Sequence, residues 1–183
     1  MGPIQELARH IGAEERTLRR AASQGALHAH RTGPRRLRLA AGEREYLLTH
    51  WQFLALLRET LRTQRQVRLA VLYGSLARGD EDGGSDLDLL VSPAGEASFG
   101  TGALSARLME ITGRGVDIAF LGRVEESAPL LLDRILDEGR VLVDRDGQWR
   151  DFHERRRAIR ARAQRAHRRQ MTSVAEAIEE LTQ

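Results

Sequence analysis

The residues best suited to chemistry lie in Leu72-Tyr-Gly-Ser-Leu-Ala-Arg-Gly-Asp80 and the following Glu-Asp-Gly-Gly-Ser-Asp-Leu-Asp-Leu-Leu-Val91. Gly74-Ser75 closes an apolar run and opens a helical turn, where free backbone amides and a missing side chain suit a phosphate. After ten intervening residues, Asp86 and Asp88 stand two positions apart at the head of the next apolar run. In a strand that spacing puts both carboxylates on one face, about 6–7 Å apart along the chain, able to share metal ions. Paired carboxylates with divalent metal can neutralise a triphosphate, activate an attacking hydroxyl and stabilise departing pyrophosphate. Such a site usually takes a third acid, and Asp117 in Gly115-Val-Asp-Ile-Ala-Phe-Leu121 is the candidate metal ligand and general base. Val116 and Ile118 face the opposite, apolar side of that strand, and an acid among core residues is costly unless paired or metal-bound. The alternative for Asp117 is an acid facing solvent from a half-buried strand. Arg78 is either a further phosphate contact or a surface arginine capping the loop, and Asp80, Glu81 and Asp82 read as a solvated turn.

The hydrophobic pattern supplies elements to position these residues. Val- and Leu-rich strands are expected at 67–73, 87–91, 115–121 and 141–143, with helices near 103–112 and 126–137. This makes residues 65–148 an α/β unit with a small sheet covered on at least one face. Before it, residues 43–63 carry a helical stripe of Leu47, Trp51, Leu54, Leu57 and Leu61, bordered by Arg58, so that 46–64 forms a connecting helix. That stripe is core or a homodimer surface. Residues 149–183 read as an Arg-rich helical segment in which Phe152, Ile159 and Ala166 recur every seven residues, and Val174, Ile178 and Leu181 carry the stripe on. Its arginines, from 155 to 169, either contact phosphate or face the acidic middle of the chain.

The first 45 residues have their own pattern. Helices over about 3–11 and 13–24 precede a hairpin, 26–31 and 35–39, around Thr32-Gly33-Pro34. Thr17, Arg19, Arg20 and Gln24 could reach DNA bases, and Arg31, Arg35, Arg36 and Arg38 could hold the backbone. The alternative is a small helical domain with solvated arginines. The order of elements resembles the winged helix-turn-helix modules of the MerR and excisionase type, which implies double-stranded DNA as a partner.

Composition narrows the classes. A chain of 183 residues with a formal charge of +3 has no cysteine, which excludes disulfides and cysteine zinc sites, and its six histidines show no ligand spacing. Any metal must be held by carboxylates. No apolar run approaches the roughly 20 residues of a membrane span, so a cytoplasmic address without membrane contact is expected. The charge is uneven: 9 arginines against 5 acids up to residue 47, 11 against 16 up to 148, and 9 against 5 beyond. Every Lys/Arg position is arginine, which reads as the record of a GC-rich genome; the alternative is a chemical use, since the planar fork of arginine suits phosphate.

Gly-Ser, ten residues, Asp-x-Asp and a later strand Asp flanked by apolar residues resemble the nucleotidyltransferase superfamily that includes polymerase beta. More narrowly, Gly74-Ser75-Leu-Ala-Arg78-Gly79 with Ser85-Asp86-Leu-Asp88-Leu-Leu is similar to the minimal nucleotidyltransferase family. The resemblance covers about residues 65–145. It implies an α+β nucleotidyltransferase fold in which Gly74 and Ser75 contact the triphosphate and Asp86, Asp88 and Asp117 bind Mg²⁺ or Mn²⁺. ATP is the implied donor. Family members silence a helical toxin by adding AMP to a tyrosine, which implies a protein acceptor such as a cognate toxin, with the chain as its antitoxin and a repressor of its own operon. Two other readings stay open: a non-enzymatic DNA-binding regulator that only binds nucleotide, and a transferase acting on tRNA or a small molecule.

Overall fold

A computed structural model describes residues 3–33, 36–95 and 99–181, with side chains up to residue 174. Arg35 and the side chains of Ile178 and Leu181 lie outside this set. The chain begins with α1 (Pro3–His10), α2 (Glu15–Ser23), β1 (Ala29–Arg31), β2 (Leu37–Leu39) and the long α3 (Glu43–Thr63). The middle comprises β3 (Val67–Tyr73), α4 (Gly74–Arg78), β4 (Leu87–Pro93), α5 (Thr101–Thr112), β5 (Val116–Phe120), α6 (Leu121–Ser127), α7 (Pro129–Glu138) and β6 (Arg140–Asp144). It ends with α8 (Gln148–Glu154) and α9 (Arg156–Leu181).

β3 to β6 form one mixed sheet in the order β5-β4-β3-β6, with only the β4–β5 pair parallel. Period-two alternation sorts its side chains into two layers. Ala70, Leu72, Leu87, Leu89 and Val91 pack with α3, α5 and the N-terminal elements. Leu69, Val71 and Leu90 pack with α6, α7, α8 and the start of α9. Both faces are therefore covered, and Asp86, Asp88 and Asp117, in phase with Leu90 and Ala119, belong to the α7 side.

The stripe on α3 is core: Leu47, Leu54, Leu57 and Leu61 are fully buried and Trp51 nearly so. They join Ile4, Leu7, Leu18 and Leu27 of the first segment to the sheet in a single cluster. The backbone adds a second tie, because Val141 donates to the Gly25 carbonyl at 3.0 Å on the outer edge of β6.

One helical expectation needs correction. The helix expected at 126–137 is two helices, α6 beginning at Leu121 and α7 at Pro129, where the proline has no N–H to lose in a first turn. The C-terminal segment is helical as expected, with a break at Arg155 between α8 and α9. Its stripe is core only at the start: Phe152, Ile159 and Ala163 are buried, whereas Val174 is 47% exposed. Three arginines around the start of α9 face the acidic middle. Arg156 and Arg160 pair with Asp137, Arg160 also with Asp133, and Arg155 with Glu125.

One ion pair is fully buried among the described residues. Arg140 donates to both carboxylate oxygens of Glu43 at 2.7 and 3.0 Å, and its Nε to the Ala77 carbonyl at 2.6 Å. The guanidinium carbon lies 3.4 Å from the Tyr46 ring centroid, and the Tyr46 hydroxyl donates to the Leu76 carbonyl. Stranding one partner of such a pair costs about 3–5 kcal/mol, while exchanging both for apolar residues is often nearly neutral. Urea denaturation of Glu43→Ala should show a loss of that size, and Glu43→Leu with Arg140→Met should recover most of it. Equal losses in both variants would deny the pair its role.

His28 adjoins this cluster, 3.6 Å from Glu43 and within 3.3 Å of the Gly139 carbonyl. Burial and then the Arg140 charge hold its imidazole below the usual value of 6.5, against the opposing pull of Glu43 and the carbonyl. The unfolded chain therefore takes up this proton first on acidification. The His28 contribution to stability is complete above about pH 6.5 and declines as pH falls through that value. Thermal melts at pH 7.5 and 5.5 should show a smaller drop for His28→Gln than for the wild type, and an identical drop would remove His28 from the account.

Candidate active site

Asp88 occupies the centre of the site because of strand register. It lies opposite Tyr73 across the antiparallel β3–β4 pair and level with Asp117 across the parallel β4–β5 pair. Val116 and Ile118 pack into the opposite layer, as expected for an acid alternating with core residues. Asp88 is half-buried, while Asp86 and Asp117 are exposed at the sheet rim. Burial, then the charges of Asp117 and Asp86, raise the Asp88 carboxyl above its ordinary value, with Arg78 opposing. Burial and the charges of Asp88 and Asp117 push the Tyr73 phenol up to about 12, so it stays a neutral hydroxyl facing the acids.

Glycine at 74 is required twice over. Its φ of +75° is one that L side chains rarely adopt, and a Cβ there would collide with the Asp88 carboxylate. Gly115 plays a similar part for Asp86, whose carboxylate lies where a Gly115 Cβ would be. The two acids of the Asp-x-Asp pair thus lean apart, Asp88 toward the β3–α4 junction and Asp86 toward the head of β5. This accounts for a further fact: among the described residues, no three His, Cys, Asp or Glu side chains form a ready-made metal shell. The donor chemistry still suits a hard divalent cation, since all three acids offer oxygen and the crowding at Asp88 marks an excess of negative charge.

Arg78, at the end of α4, donates to Asp80 and to Glu138, each at 3.0 Å. Glu138 also accepts the Gly74 amide at 3.0 Å. Sequence spacing gave no hint of Glu138, which reaches the site only because α7 covers this face of the sheet. Arg114 was equally silent and fixes the loop before Asp86 by donating to the Ser85 carbonyl at 2.9 Å. Of the turn expected to be solvated, Asp82 fits, accepting from Gly84 and Ser85. Glu81 does not: it is 17% exposed and bonds to His50 on α3 at 2.6 Å.

The N-terminal candidates form a separate group. Thr17, Arg19, Arg20, Gln24, Arg31, Arg36 and Arg38 are all exposed. Arg19, paired with Glu15, lines a cleft of about 800 Å³ between α2 and the β1–β2 hairpin together with Arg31 and Arg36. Thr17, Arg20 and Gln24 line a second cleft of about 830 Å³ against Arg58 and Arg62 of α3, where the Gln24 side-chain oxygen accepts from Arg58 at 2.6 Å. Burial, then Arg62 and Arg20, bring the Arg58 guanidinium down to about 10. No helix among the described residues is long and apolar enough to cross a membrane.

The family described as Polymerase beta, Nucleotidyltransferase matches residues 56–148, which contain every acid and glycine of the site. The chain belongs to this nucleotidyltransferase family. Comparison with curated proteins finds no match. Among solved structures, a mutant toxin–antitoxin MntA–HpeT complex contains a chain 15% identical to this nucleotidyltransferase, with a TM-score of 0.51 over 68% of this chain and 98% of that one. A toxin–antitoxin structure with AMP-PNP gives 18% identity, a TM-score of 0.49 and coverage of 72% and 99%. A structure of a tri-AMPylated Shewanella oneidensis HEPN toxin in complex with MNT antitoxin gives 14%, 0.47, and 68% and 98%. At these identities the first likeness is one of fold.

Two glycines separate backbone strain from the close approach in this nucleotidyltransferase. Gly42 has the same φ of +75° as Gly74, but a Cβ there would meet nothing within 4 Å. Alanine at either position should cost about 1–2 kcal/mol in backbone strain. Gly74→Ala alone should lose melting temperature beyond that strain, because its Cβ displaces the Asp88 carboxylate, and equal losses in the two variants would overturn the close approach.

Proposed function

We propose that the protein is a metal-dependent nucleotidyltransferase that moves AMP from ATP onto a protein acceptor. The carrying observation is the register that aligns Tyr73, Asp88 and Asp117 beside the Gly74-Ser75 turn. Gly74, Ser75 and Arg78 would bind the triphosphate by backbone amide, hydroxyl and guanidinium. Asp86, Asp88 and Asp117 would hold Mg²⁺ or Mn²⁺, which when bound supplies charge neutralisation for the phosphates and activation of the acceptor hydroxyl. Asp117, exposed at the rim, is suited to receive the acceptor proton.

The toxin–antitoxin setting of the MntA–HpeT complex favours a protein acceptor and suggests a cognate toxin. In this reading the protein is a cytoplasmic antitoxin whose residues 1–45 bind operator DNA. The exposed arginines of α2 and the hairpin support that role, since phosphate contact dominates such affinity. Arg58 and Arg62, outside that segment, extend the basic surface.

Asp88 carries like charges around a half-buried carboxylate, so activity and stability should move in opposite directions on its removal. Asp88→Asn should lower transfer of radiolabel from ATP by about 100-fold or more while leaving the melting temperature at neutral pH equal or higher. Wild-type transfer by this variant, or transfer by the wild type undiminished in EDTA, would remove the metal-dependent reading.

A further inference from the structure

Glu138 is the last residue of α7, and its carboxylate reaches the turn after β3. Oε1 accepts the Gly74 amide and Oε2 accepts Arg78 Nη1, both at 3.0 Å, with the side chain only 13% exposed. A carboxylate of the chain itself thus occupies two donors aimed at one point, an amide and a guanidinium. Carboxylate and phosphate oxygens accept such charge-assisted bonds at the same lengths, so they compete for them. The position is also an awkward one for a mere structural anchor. Glu138 adds its charge to the repulsion on Asp88, which already faces Asp86 and Asp117.

We propose that Glu138 is a phosphate placeholder: it keeps the Gly74–Arg78 cradle in shape and is displaced by the polyphosphate of an incoming nucleotide. This rests on the reading of the site as a nucleotide site and adds to it a residue that sets ligand preference. The backbone beside Glu138 is fixed, since Arg140, two residues on, is locked by Glu43 and the Ala77 carbonyl. Displacement is therefore a side-chain rotation, and α7 stays where it is. A ligand with several phosphate charges competes well for the two donors, whereas a ligand with none leaves Glu138 in place. The consequence is discrimination by phosphate content, imposed by a residue that touches the cradle and not the base.

The test is calorimetric titration of the full chain with Mg²⁺ and three probes: a non-hydrolysable ATP analogue, inorganic tripolyphosphate and adenosine. Glu138→Ala should lower Kd for the analogue and for tripolyphosphate about tenfold and leave adenosine unchanged. The isosteric Glu138→Gln, which keeps side-chain volume, should show a smaller gain in the same two ligands and decides the matter if the alanine variant does not fold. A purely structural role would weaken all ligands together. If the wild type binds the analogue but neither variant gains, the placeholder is overturned and the nucleotide site stands. If the wild type binds neither the analogue nor tripolyphosphate, both fall.

Discussion

The buried bond between Arg140 and Glu43 is the constraint on which the site's geometry depends. Neither charge is solvated, so each requires the other, and the bidentate fork leaves one relative placement of β6 and α3. The same guanidinium holds the Ala77 carbonyl, and the ring beneath it holds that of Leu76. Both carbonyls belong to α4, the short helix that continues the Gly74-Ser75 turn. The back of the turn is thereby fastened to two elements distant in sequence, while Glu138, just ahead of Arg140, meets its front. A pair of this kind adds little net stability over an apolar replacement, but it fixes where the turn sits relative to Asp88.

The acids themselves were legible in the sequence because their signals are local. Asp86, Asp88 and Asp117 stand at the heads of apolar runs, and Gly74-Ser75 marks the turn beside them, whereas the close approach of the Gly74 and Gly115 backbone to the carboxylates is a tertiary fact. The strands and α3 were legible for the same reason, as runs with a clear period. What escaped was set by tertiary contact. Glu138 lies 64 residues from Gly74 and Glu43 lies 97 from Arg140, and no spacing rule connects such partners. The break at Pro129 carried a local signal, yet the apolar residues on either side masked it. Glu81 misled for a related reason: an acidic turn looks solvated until His50 of α3 is brought against it.

Charge is distributed with the same dependence on packing. Arg155, Arg156 and Arg160 could have faced phosphate or protein, and acids on α6 and α7 claim them. Those on α2 and the hairpin stay largely at the surface, where two clefts flank α2. Composition alone made the two basic ends look alike. The fold assigns the start of α9 to internal neutralisation of the acidic middle and leaves the first end directed outward.

The cluster shared by the first helices, α3 and the sheet bears on how this chain loses its structure. Leu7, Leu18, Leu47 and Leu72 lie in one uninterrupted apolar body, and the Gly25 carbonyl is paired to β6. Detaching the first segment would uncover one side of α3 and leave the outer edge of β6 short of a partner for Val141. The two ends of the catalytic sheet are consequently unequal. The β6 side is sealed by residues from the start of the chain, so a fluctuation there must disturb the N-terminal elements too, whereas no described backbone bond ties those elements to β5.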